Sequence, residues 1–95
     1  MKGEIKAAEA FVMGKSYRGS NAAWSDGLAL WSYGTAIAVR EGGVVLFNAT
    51  KYSVTTSRHQ SAARYVLAKA GIAVKELHNV PIGTKAYELK EFAER

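Results

Sequence analysis

Two turn signals constrain most strongly what this chain can fold into. Asp26-Gly27 and Glu41-Gly42-Gly43 separate three runs rich in aromatic and β-branched residues. Asp-Gly favours hairpins because glycine accepts the left-handed backbone of a tight reversal. The first run, residues 15–25, is mixed: Tyr17 and Trp24 favour strand, whereas Gly19, Ser20 and Asn21 favour a bend. "LALWSYGTAIAVRE" and "VVLFNATKYSV" follow. Extended runs joined by short turns pair with their neighbours, so a three-stranded antiparallel meander is predicted. In the second strand, period-two alternation gathers Trp31, Tyr33, Thr35, Ile37 and Val39 on one face, the expected core face.

Helical spacing brackets the meander. Ile5, Ala8, Phe11 and Val12 form an apolar stripe, which predicts a helix over residues 3–13 ended by Gly14. Ser57-Arg58-His59-Gln60 has capping-box spacing and opens a second helix. Its apolar face is Ala62, Ala63, Val66, Leu67 and Ala70, and Gly71 ends it. "IAVKELHNVPI" reads as a fourth strand with Ile72, Val74 and Leu77 buried, and "KAYELKEFAER" as a last short helix. The expectation is one small α+β domain over residues 1–95, ordered α-β-β-β-α-β-α. Its meander and fourth strand would pack against two or three helices.

Composition narrows the chemistry. The chain has no cysteine, which excludes disulfides, thiolate metal sites and a cysteine nucleophile. No phosphate-binding glycine loop, zinc-protease motif or nucleophile elbow is present. The two histidines fall on different elements, and the acids are scattered. No catalytic residues, metal ligands or cofactor are therefore assigned, and an enzyme is not expected. A metal-independent nuclease built on Lys51, Tyr52 and His59 is the enzymatic alternative. Neither a signal peptide nor an apolar run of membrane-spanning length is visible, so a cytoplasmic protein with no membrane partner is expected. The net charge of +5 draws such a domain toward polyanions.

The most polar stretch is "TKYSVTTSRHQSAAR". A helix N-terminus exposes unpaired N–H groups and favours anions. Thr55, Thr56 and Ser57 could add hydroxyls to it, and Lys51 and Arg58 could add charge. The competing reading is purely structural: Ser57 caps the helix and Gln60 reaches back. The helical wheel turns His59 inward, as a hydrogen-bonded structural residue. It turns Arg58, Arg64, Tyr65 and Lys69 outward, as a stripe able to follow a phosphate backbone or simply to face water. Tyr17, Arg18 and Trp24 form a second cluster suited to stacking or to a protein interface. Trp31 is expected to be buried, with Tyr17 and Trp24 partly exposed.

"SYGTAIA", the turn "EGG" and "NATKYSVTTSRHQSAAR" together resemble a pattern in small, mostly uncharacterised proteins of bacteriophages and related mobile elements. That pattern shares a YS-x-TTS-[RK]-HQ core and covers residues 17–66. The resemblance implies a protein acting inside a bacterial cell, where small proteins of this origin bind nucleic acid or block host defence. The leading expectation is a non-enzymatic basic module that engages a phosphate-bearing ligand, nucleic acid above all. The alternative is an inhibitor that binds a host defence protein or sequesters a nucleotide signal. A self-assembling homo-oligomer is a third class.

Overall fold

The computed structural model describes residues 2–18 and 22–94. The bend assigned to Gly19, Ser20 and Asn21 lies outside them. The elements are α1 (Lys2–Val12), β1 (Ser16–Tyr17), β2 (Ala23–Asp26), β3 (Ala29–Ser32), β4 (Thr35–Glu41), β5 (Val44–Asn48), α2 (Val54–Lys69), β6 (Val74–Leu77) and α3 (Ala86–Ala93). The strands form one sheet in chain order, antiparallel from β1 to β5. β6 then joins β5 in parallel, because α2 carries the chain back across the sheet first. The α+β class, the meander, the late strand and the final helix are as the sequence implies.

Both glycine turns occur where expected, with positive φ at Gly27 (91°) and Gly42 (62°). A third reversal is the new feature. The run 28–41 is a hairpin, not one strand: Ser32 pairs with Thr35 and the chain turns at Tyr33-Gly34. Tyr33 takes φ 54°, the left-handed value a two-residue hairpin loop asks of its first residue.

The β3–β4 register explains why simple alternation misassigns this run. Leu30 faces Ala38 but Trp31 faces Ala36, so Ile37 is an extra, bulged residue. The bulge puts Ile37 with Leu30 and Ala38 on one side, and Ala36, Val39 and Trp31 on the other. The predicted single core face is therefore replaced by two. The sheet is a middle layer: α1 and α2 cover Ala23, Leu30, Ile37 and Phe47, while α3 covers Trp31, Val39, Leu46 and Leu77. Strands buried on both faces lose the polar alternation that a half-exposed sheet shows.

Arg40 ties the sheet to α1. Its guanidinium donates to the carbonyls of Phe11 and Val12 at the C-terminus of α1 and to Gly27 in the β2–β3 turn. α1 has no basic residue in its own last turn, so this charge arrives from β4. Its stem also lays the guanidinium over the Phe11 ring, 4.7 Å from the centroid.

At the sheet's far edge, Leu77 is buried, but Val74 is exposed and Ile72 only half-buried. β6 has no strand on its other side among the described residues, which leaves Val74 outside the core.

Candidate functional site

α2 begins four residues earlier than the capping-box spacing implies. Ser53, not Ser57, is its N-cap: extended backbone places the Ser53 Oγ to accept from Thr56 N at 3.1 Å. Gln60 does not reach back to Ser57. It is buried and donates to the carbonyls of Asn48 (2.7 Å) and Thr50 (2.9 Å), which satisfies the backbone as it leaves β5. Asn48 is fully buried, and its amide donates to Ala36 O and Tyr52 Oη. The S-x-x-Q spacing fits a cap, but the carbonyls that Gln60 serves lie at the end of β5 and just beyond it.

Because the helix starts early, the hydroxyls divide. Thr56 points inward and is buried, its Oγ1 bonded to Ser53 Oγ (3.2 Å) and Ser32 Oγ (3.1 Å). Ser32 Oγ also meets His59 Nδ1 at 2.7 Å. Thr56 is thus removed from the set of possible anion contacts, whereas Thr55 and Ser57 stay half-exposed.

His59 is turned inward as the helical wheel implies. Burial pushes its pKa down, the Arg58 charge adds to that, and the Glu4 carboxylate opposes it. The hydrogen-bonded Ser32–His59 pair is sealed from any substrate, the two residues being 1% and 3% exposed. The nuclease constellation is not assembled either. His59 is buried, Tyr52 donates its hydroxyl to Val80 O at 2.6 Å, and only Lys51 stands free in solvent.

The cations divide in the same way. Arg64, expected on the outward stripe, lies over the Phe47 ring and forms an ion pair with Glu76. That contact holds the Glu76 carboxyl below its usual range. Arg58 and Lys69 remain outward on α2, Lys69 with its ammonium 5.6 Å from the Tyr65 ring centre. Beside them runs an open groove of about 570 Å³, whose apolar lining includes Ile5 of α1 and Val54, Ala62 and Tyr65 of α2, with Arg58 at its edge. Val54 and Tyr65 are among the exposed large apolar residues.

The aromatic cluster is split by the sheet. Tyr17 packs against the α1–α2 side and Trp24 against the α3 side. The β1–β2 register sets this, since Tyr17 opposes Ser25 rather than Trp24. Both are half-buried and Trp31 is buried, as expected. Trp24 stacks on Trp31 at 5.1 Å and 6°. Arg18 covers the Trp24 ring at 4.7 Å and Lys85 lies over that of Trp31 at 5.9 Å. Both indole N–H groups are satisfied, by Tyr33 O and Asp26 Oδ2. The column is complete in itself and sits away from α2, so Tyr17, Arg18 and Trp24 do not join the helix start in one stacking site.

Two features escaped residue-by-residue reading. Tyr33, exposed at the hairpin tip, tilts over His59 with ring centres 6.0 Å apart. The other is charge segregation. Residues 42–75 contain no Asp or Glu but five cations, Lys51, Arg58, Arg64, Lys69 and Lys75. The remaining eight Lys and Arg balance the chain's eight acids (13 − 5 = 8 against 8), so this segment holds the entire net charge of +5. The positions of the acids alone would have revealed it.

Among the described residues there is no group of side chains able to hold a metal ion, and no helix long and apolar enough to cross a membrane. Neither the curated proteins nor the solved structures contain a match to the chain. One family model does match, over residues 4–78, which spans α1 through β6 and stops before α3. The chain therefore belongs to DUF8033, a family of unknown function.

Proposed function

We propose that this protein is a non-enzymatic binding module that engages a phosphate-bearing ligand, nucleic acid, along the exposed side of α2. The observation that carries the reading is the acid-free segment 42–75. Acidic residues are favoured in the first turn of a helix, yet α2 has none there. Its N-terminus thus has no acid of its own beside Lys51, Arg58 and the half-exposed Thr55 and Ser57, although the Glu4 carboxylate of α1 reaches His59 from the neighbouring helix. Arg64 contributes less, being paired with Glu76.

Phosphate contacts release counterions, so affinity should fall linearly on logarithmic axes as salt rises. The experiment is oligonucleotide binding by fluorescence anisotropy across a salt series. Arg58→Ala with Lys69→Ala should make the slope shallower by about 2. No binding to DNA or RNA at low salt would refute the reading.

The groove between Ile5, Val54 and Tyr65 favours a second reading, in which the module binds a host protein. A phosphate backbone offers nothing apolar to fill it, whereas an apolar side chain does. In that case binding tolerates salt and is lost on Val54→Ser with Tyr65→Ser.

A further inference from the structure

Tyr33 occupies a position where folding asks for a different residue. The two-residue loop between Ser32 and Thr35 requires a left-handed first residue, which Gly, Asn or Asp adopts most readily. A bulky side chain there is an outlier. The conformation persists because the backbone is held on both sides: Tyr33 N donates to Ala22 O at 2.7 Å, and its carbonyl accepts from Trp24 Nε1 at 3.0 Å. The turn thus explains the φ but not the tyrosine. The residue is 51% exposed, so core packing does not explain it either.

Its surroundings give it a use. The ring tilts at 46° over His59, the chain neighbour of Arg58. The adjoining Ser32 is bonded to both Thr56 and His59. The hairpin tip is thereby fastened to the first turns of α2, within the acid-free segment.

We infer that Tyr33 is a stacking platform for an unpaired base, so that the site takes single-stranded nucleic acid, with Lys51 and Arg58 receiving its phosphates. The inference rests on the proposed function and names its ligand more narrowly. Bases in a duplex are already stacked, whereas a single strand offers a free face to an exposed aromatic ring. Trp24 cannot serve, because Arg18 and Trp31 already cover its ring.

The test compares a single-stranded oligonucleotide with the duplex of the same sequence, using wild type, Tyr33→Phe, Tyr33→Gly, Tyr33→Asn and the Arg58→Ala/Lys69→Ala variant. Tyr33→Phe should bind as wild type does. Tyr33→Gly and Tyr33→Asn should lose roughly ten-fold in single-strand affinity and leave duplex affinity unchanged. Their midpoints of thermal unfolding should equal or exceed that of wild type, since both residues accept the left-handed backbone. Two results would overturn the platform while leaving the proposed function standing. One is equal affinity for single strand and duplex; the other is wild-type single-strand affinity in both Tyr33→Gly and Tyr33→Asn, with Arg58→Ala/Lys69→Ala weakening both ligands. Absence of any oligonucleotide binding removes both.

Discussion

Ser32 Oγ and His59 Nδ1 meet at 2.7 Å between β3 and α2, in a site closed to solvent. This bond and the adjoining contact to Thr56 are what hold the Tyr33 hairpin tip to the start of α2. The arrangement suits a neutral imidazole, because burial opposes the charged form.

A pH dependence follows with a definite sign. Folded His59 has a depressed pKa, so between that value and the unfolded value near 6.5 the unfolded chain binds more protons. Stability is therefore full above about pH 6.5 and declines as the pH falls below it. Urea unfolding midpoints measured from pH 7.5 downward should show this decline, and His59→Gln should flatten it. Glu76 acts in a separate, more acidic window: its lowered pKa gives stability that is lost as its carboxylate is protonated. A profile unchanged by His59→Gln would show that the imidazole carries no linkage.

The helix start separates two serines. Ser53→Ala removes the oxygen that accepts from Thr56 N and should cost about 1 kcal/mol. Ser57→Ala, inside the helix and half-exposed, should stay within about 0.5 kcal/mol of wild type. Chemical denaturation of the two variants decides between the positions, and the reverse order would move the cap back to Ser57.

Gly27 is demanding twice over. Its φ is 91°, and a Cβ built on it would lie 3.1 Å from the carbonyl oxygen of Gly14. Gly27→Ala should therefore destabilise by more than about 1 kcal/mol, seen as a lowered thermal midpoint. Gly43→Ala, with open space around the new methyl and no positive φ, is the control and should be close to neutral.

These particulars show what was legible in the sequence. Turns at Gly27 and Gly42 were readable because glycine marks the left-handed backbone that they use. The turn at Tyr33 was not, because tyrosine signals strand and the alternation runs on through it. The Ile37 bulge then inverted half of that alternation. His59 could be placed inward from helical geometry alone, but Gln60 could not be assigned to the carbonyls of Asn48 and Thr50 without knowing where β5 ends. The split of Tyr17 from Trp24 depended on a strand register that no local pattern encodes. Of the cations proposed for the helix start and the outward stripe of α2, Lys51, Arg58 and Lys69 keep outward positions. Thr56 is buried against Ser32, and Arg64, though exposed, is shared with Glu76.

The parallel attachment of β6 has a consequence for how the molecule opens. β2 to β5 each pair with the preceding strand without an intervening helix, but β6 docks on β5 only once the whole of α2 has been laid down. Late, non-local pairing at a sheet edge makes β6 the strand most easily released while the meander stays closed. The amides of Val45 and Ala49, which donate to Ala73 and Leu77, become reporters of that release. Their hydrogen exchange measures how often the edge detaches, and so how firmly the C-terminal end of α2 is held.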